Sequence, residues 1–188
     1  IGTIAEQMSS DAHVIIVSGD KDLLQLVKPH VEVYLLKKGL SEFILYNPDK
    51  VRADFGFEPI QMIDYKALRG DSSDNIPGIK GIGEKTAKQL LTAFGTIANM
   101  YAKADGDSTV LESAVTARMA TKAIEGRESA EMSYALAQIK LDVPDVDFTI
   151  DDASLETLDE DGLKQALTEY EFFSLLKRVA PQEAARVE

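Results

Sequence analysis

The 188-residue chain has no cysteine, which excludes disulfides and thiolate metal sites. Histidine is nearly as scarce. His13 and His30 are too few for a histidine-rich zinc site, and neither has an acidic or serine partner at a useful spacing, so both are expected at the surface or at strand ends. Any metal must therefore be held by oxygen. Long apolar runs are missing too: none approaches the roughly 18 residues of a membrane span, and the first residues do not read as a secretory signal. A soluble, intracellular chain with no membrane partner is expected. Positive charge is in short supply, with 20 Lys and Arg against 32 Asp and Glu and a net charge of −12. Taken over the whole chain, that balance argues against a nucleic-acid partner, because duplex binding rests mostly on neutralising phosphates.

The deficit is unevenly spread. Residues 1–94 carry 11 bases and 13 acids, residues 95–188 carry 9 and 19, and Asp142 to Asp161 alone has nine acids and no base. The acidic run reads as a solvated connector that would face away from any polyanion, and a local basic surface in the first half stays open. The length suits one compact unit with a subdomain.

Ile1 to Ser10 places Ile1, Ile4, Ala5 and Met8 at helical spacing without a cap, the back end of a helix. HVIIVS, His13 to Ser18, is a continuous β-branched run and predicts a buried strand of a parallel sheet. It would deliver Gly19 to Asp22 to the carboxyl edge, where open α/β sheets place ligands, with Asp22 capping a short helix. Val31 to Leu36 and Glu42 to Tyr46 predict two further strands, with Tyr34, Phe43 and Tyr46 in the sheet core. Asn47 before Pro48 predicts a helix start, with its end near Gly56. Pro59 to Arg69 predicts a helix burying Ile60, Ile63 and Ala67, with Met62 beside them. Beyond that only helices are expected: Glu84 to Phe94 capped by Gly95, Ile97 to Lys103, Ser108 to Glu125, Glu128 to Lys140 and Asp161 to Val179. The closing APQEAARVE reads as a linker. The expected organisation is α/β over 1–69, helical over 70–180 and linker over 181–188.

Three motifs carry chemistry. In SGDKD, Asp20 and Asp22 lie two apart at a strand end, a spacing that suits either a helix cap or a pair of carboxylates facing one way. In GDSSDN, Asp71 and Asp74 lie three apart, so one helical turn would join them, and turn capping is the alternative. Four carboxylates meeting at one place would repel unless a hard cation such as Mg²⁺ or Mn²⁺ neutralised them. PGIKGIGEKTAKQLL sets Gly78, Gly81 and Gly83 before a helix whose free N–H groups form an anion site suited to phosphate, with Lys80, Lys85 and Lys88 adding charge. It is neither a P-loop nor a dinucleotide fingerprint.

Together, SGDKDLLQLV, DYKALRGDSSDNIPGIKGIGEKTAKQLL and EFFSLLKRV resemble, in order and spacing, the 5′ nuclease domain of the bacterial DNA polymerase I type, within the flap endonuclease superfamily. The resemblance covers nearly the whole chain. It implies an α/β fold: a truncated parallel-type sheet of a PIN-like nuclease core, followed by an all-helical helix–hairpin–helix (H3TH) subdomain. The implied activity is that of a metal-dependent 5′–3′ exonuclease and flap endonuclease, hydrolysing duplex DNA at a 5′ end or flap in replication and repair. A bacterial, cytoplasmic, nucleoid-associated monomer with polymerase domains downstream is implied as well. Asp20, Asp22, Asp71 and Asp74 would be catalytic carboxylates, ligating Mg²⁺ or Mn²⁺ on the second-metal side of a two-metal site. Gly78, Lys80, Gly81, Gly83, Lys85, Thr86 and Lys88 would hold DNA. The carbonyls of Leu68, Arg69, Pro77, Ile79 and Ile82 would hold K⁺. Family members begin with a further segment bearing the first-metal carboxylates, so half the site is expected to be missing here and the isolated piece to be weak or inactive. Two other readings stay open: a non-catalytic structure-specific DNA-binding module, and a protein-interaction domain using the acidic helical half.

Overall fold

The computed structural model describes residues 1–38, 42–154 and 158–179. They fall into two compact units, Ile1–Asp147 and Phe148–Glu188. In the first, helix α1 (Gly2–Met8) leads into strand β1 (Val14–Ser18), a 3₁₀ turn (Lys21–Leu26), β2 (Val31–Lys38), β3 (Glu42–Tyr46) and α2 (Pro48–Phe55). A second 3₁₀ turn, Pro59–Gln61, opens α3 (Met62–Arg69), and α4 (Glu84–Phe94), α5 (Ile97–Gly106), α6 (Ala117–Glu125) and α7 (Arg127–Ala137) follow. The expected boundary near residue 70 lies inside this unit, where α3 packs against the Lys21–Leu26 turn as well as α4 and α7.

The sheet has the order β1-β2-β3, with β1 and β2 parallel and β2 and β3 antiparallel. Strand alternation sends Ile16, Val31, Val33 and Leu35 into the core. The expectation of a fully buried β1 is corrected: Ile15 is 49% exposed and Val17 63%, because only alternate residues face the core. Tyr46 is core as expected, whereas Phe43 lies on the outer face, 49% exposed and stacked on Tyr34 at 3.9 Å between ring centroids. His13, half exposed, does have an acidic partner: its Nε2 lies 2.9 Å from Glu32 Oε2, brought close by the β1–β2 pairing rather than by chain spacing.

Local signals hold at most helix ends. Asn47 Oδ1 accepts from Lys50 N at 2.8 Å to start α2, and Gly56 ends it at φ 83°. Ile60 is 59% exposed, contrary to expectation, because it belongs to the 3₁₀ turn, where Glu58 and Gln61 cap each other, and not to the α-helical stripe. The single helix expected over Ser108 to Glu125 is instead a 3₁₀ turn, Ser108–Ser113, followed by α6; Asp107 takes both the N–H and the hydroxyl of Thr109 and winds the first piece tightly. α7 stops at Ala137 because buried Gln25 accepts from Ile139 N and donates to Ala137 O, pulling that backbone out of the helix. In the second unit, α8 (Glu160–Glu169) and α9 (Phe173–Val179) replace one expected helix, with Glu171 between them at φ 59°. The expected linker lies outside the described residues. No helix among the described residues is long and apolar enough to cross a membrane.

α3 is buried on every face, from Met62 through Leu68. Its buried Asp64 accepts from Ile97 N at 2.8 Å and so holds the start of α5. Its Leu68 carbonyl accepts from Ile79 N at 2.9 Å and so holds the hairpin that joins α3 to α4. Within that hairpin Asp71 and Ile76 exchange both backbone hydrogen bonds, at 2.8 and 2.9 Å. Gly78, at φ 59°, could carry no side chain: a Cβ there would lie 2.2 Å from Gly70 N. Its N–H donates to Ser133 Oγ at 2.9 Å and its carbonyl accepts from Ser129 Oγ at 2.6 Å, so α7 clamps the hairpin by its backbone.

Two predictions follow from these anchors. Ser133 is fully buried, and Ser133→Ala, by stranding the Gly78 N–H, should cost about 1–3 kcal/mol in urea unfolding. Burial raises the Asp64 carboxyl above its ordinary value, with the Ile97 N–H acting against it. A raised carboxyl stabilises the fold below its unfolded value, and that contribution is lost as pH rises through the folded one. Asp64→Asn, which keeps the acceptor without the charge, should therefore flatten the fall in stability above about pH 4. Asp64→Ala should lose stability at every pH.

Candidate metal centre and phosphate grip

Ser18 ends β1, and its Oγ accepts from Asp20 N at 3.1 Å. Asp20 Oδ1 then accepts from Asp22 N at 2.9 Å, so Asp20, and not Asp22 as expected, caps the turn Lys21–Leu26. The exchange frees the Asp22 carboxylate to face α3. From the hairpin, Asp71 and Asp74 face the same point, and one oxygen from each of Asp22, Asp71 and Asp74 lies within 4.8 Å of the others. Asp20 is outside this trio. The structure thus joins three of the four expected carboxylates and uses the fourth as the cap behind them.

Lys66 lies among the three. Its Nζ hydrogen-bonds Asp22 Oδ1 and lies 2.8 Å from Asp71 Oδ2 and 3.4 Å from Asp74 Oδ2. The side chain is 7% exposed, although it comes from the last turn of α3 between Tyr65 and Ala67. Burial pushes the Asp22 carboxyl up, against the pull of Lys66, and the nearby Asp20 and Asp74 add to the rise. Asp71, whose bonds to Lys66 and Ser73 outweigh its burial, is held down at about 2. Burial disfavours the Lys66 ammonium, but its bonds to Asp22 and Asp71 prevail and raise its affinity for the proton. One ammonium among three carboxylates leaves a local deficit. Two carboxylate charges within 4.8 Å of each other repel by roughly 3 kcal/mol or more at an effective dielectric of 20. An all-oxygen, strongly anionic donor set fits a hard divalent ion.

The expected DNA-holding residues separate into two groups. Gly78 is buried, with both backbone groups engaged by α7. Lys80, Gly81, Gly83 and Lys85 are exposed, Thr86 is half-buried, and Gly83 is the N-cap of α4 with no side-chain cap on its first N–H groups. Lys88 is ion-paired with Glu84 at 2.8 Å. Sequence reasoning missed two cations. Lys66 stood in plain view five residues before Asp71, but a helical lysine gives no sign of pointing inward. Lys122, on α6, reaches the hairpin from a distant stretch: a Cβ on Gly81 would meet Lys122 Nζ at 2.1 Å, and Gly81 has φ 88°. Among the described residues no carboxylate lies within ion-pairing distance of Lys80, Lys85 or Lys122. Of the five expected potassium ligands, the Leu68 and Ile79 carbonyls each accept a backbone N–H at 2.9 Å. Arg69 and Pro77 line an open cavity of about 480 Å³ beside Asp71.

Comparison with known proteins matches most of the chain to one family. Residues 1–56 match the model described as 5'-3' exonuclease, N-terminal resolvase-like domain, and residues 57–161 that described as 5'-3' exonuclease, C-terminal SAM fold. The chain is 38% identical to a DNA polymerase I of Bacillus caldotenax over 95% of its own length and 20% of that protein's. It is 40% identical to a 5'-3' exonuclease of Bacillus subtilis over 77% of its length and 46% of that protein's. It therefore spans about a fifth of the polymerase and under half of the exonuclease. Among solved structures, a phage T5 5'-exonuclease with bound zinc superposes with a TM-score of 0.59 at 20% identity, covering 72% of this chain and 47% of that one. A T5 flap endonuclease in a pseudo-enzyme-product complex with DNA and metal ions gives 0.57 at 19% identity, with the same coverage. Those two likenesses concern the fold. The family matches cover residues 1–161 without a gap, and this chain belongs to the 5'-3' exonuclease family.

Proposed function

We propose that this chain is the metal-binding and duplex-gripping portion of a 5′–3′ exonuclease and flap endonuclease, which hydrolyses DNA phosphodiesters in replication and repair in the bacterial cytoplasm. The observation that carries the proposal is the meeting of Asp22, Asp71 and Asp74 beside a hairpin with unpaired lysines. The T5 structures, one with zinc and one with DNA and metal ions, lend support. Polymerase domains downstream in the parent protein accord with the share of the polymerase relatives that the chain spans.

In this reading Asp22, Asp71 and Asp74 hold Mg²⁺ or Mn²⁺, and Asp20 fixes the turn that aims Asp22. The bound ion supplies an activated water and charge stabilisation for the leaving oxygen. Lys80, Lys85 and Lys122, with the N–H groups at the start of α4, bind backbone phosphates and so position the duplex without reading its bases. Lys88 contributes less, because Glu84 already takes its charge. A K⁺ at the hairpin, held by the carbonyls of Leu68, Arg69, Pro77, Ile79 and Ile82, would use the lone pairs that backbone bonding leaves on Leu68 and Ile79. A non-catalytic DNA-binding module is the second reading, and the ammonium of Lys66 among the carboxylates is what favours it.

Crystals soaked in Mn²⁺ should show an anomalous peak bounded by Asp22, Asp71 and Asp74; an empty map there would leave the second reading. Duplex binding provides the other test. Lys85→Glu combined with Lys122→Glu should weaken it and reduce the slope of log affinity against log salt by about 2. An unchanged slope would remove the hairpin from the interface.

A further inference from the structure

Lys66 is the one lysine buried among the described residues, 5% exposed overall. Burying an ammonium is costly unless it is paired, and clustering three carboxylates is costly unless they are compensated. Each cost removes the other here. The lysine reaches the cluster from the end of α3, a helix buried on all faces, so its backbone cannot shift to suit the carboxylates. The carboxylates come instead from the two loops that border α3, after β1 and at the start of the hairpin. The ammonium therefore gathers the loops.

The same contacts limit what a metal can do. Nζ sits within 3.4 Å of the Asp74 oxygen and closer to those of Asp22 and Asp71. Mg²⁺ takes oxygen ligands at about 2.0–2.1 Å and would need the space that Nζ occupies. A +2 ion beside a +1 ammonium would also repel it at short range. The four-carbon stem of lysine is flexible enough to let the head group leave while the backbone stays.

We propose that Lys66 is a built-in placeholder cation, which holds Asp22, Asp71 and Asp74 in ligating position in the metal-free protein and is displaced from them when a divalent ion binds. Lys66 and the ion are alternative occupants. The protein thereby keeps an assembled ligand set between binding events, and part of the metal's affinity is given up to the expulsion of the ammonium. This inference rests on the metal site proposed above.

Mn²⁺ affinity by calorimetry and melting temperature with and without Mn²⁺ are to be measured on the chain, Lys66→Met, Lys66→Arg and Asp71→Asn. Lys66→Met should melt lower without metal, bind Mn²⁺ about tenfold more tightly and gain more in melting temperature from Mn²⁺ than the parent chain does. Lys66→Arg should restore the metal-free stability and bind Mn²⁺ more weakly than the parent, since the larger guanidinium is harder to expel. Lys66→Arg decides the matter if Lys66→Met does not fold. Equal Mn²⁺ affinity in the parent chain and in the folded Lys66 variants, with stability alone changed, would overturn the placeholder role and leave the metal site standing. If no protein binds Mn²⁺, including the parent, the metal-site reading fails and this inference with it. Asp71→Asn should bind Mn²⁺ more weakly than the parent, and equal binding there would locate the ion elsewhere and refute both.

Discussion

Helix α3 is buried on every side, and a buried helix can present polar groups only where each finds a partner. Its polar groups find those partners at three levels. Near its start, Asp64 holds the N–H of Ile97 and orients α5. Near its end, Lys66 meets three carboxylates from two loops, and the Leu68 carbonyl anchors the hairpin through Ile79. The apolar burial of Met62, Ile63, Ala67 and Leu68 thus fixes one rigid rod from which helix packing, the acidic cluster and the hairpin all take their positions.

The hairpin is held from its other side by α7. Ser129 and Ser133 use the only two backbone polar groups of Gly78, and Gln25 fixes the end of the same helix to the turn after β1. The hairpin that carries Asp71, Asp74 and Lys80 is therefore held by both α3 and α7. That shared support keeps an anionic cluster and a lysine of the same hairpin on one scaffold in a chain with a net charge of −12. Local pairing adds to the separation: Lys88 is paired with Glu84, whereas among the described residues Lys80, Lys85 and Lys122 have no carboxylate within ion-pairing distance.

Much of the fold was legible in the sequence. Asn47 and Pro48, Gly56, Gly83 and Gly95 mark helix ends through backbone geometry that depends only on neighbouring residues. Strand β1 follows from a β-branched run and β2 and β3 from short strand-forming segments, although alternation left Ile15, Val17 and Phe43 outside the core. Two of the helix ends that sequence misplaced, at Ala137 and within Ser108 to Glu125, are set by side chains binding backbone groups, Gln25 across the fold and Asp107 at the turn start.

The sequence by itself determined the chemistry available: oxygen ligands for want of cysteine, two carboxylate pairs, and a glycine-rich junction ahead of a helix with lysines. Tertiary structure decided how these are used. It made Asp20 the cap and Asp22 a member of the cluster, buried Gly78 against α7, and brought in Lys66 and Lys122. The physical reason is range. Caps, turns and alternation act over a few residues, whereas the meeting of charges across the fold depends on how the apolar faces of whole helices pack, and Lys66 pairs with Asp22 across a sequence separation of 44.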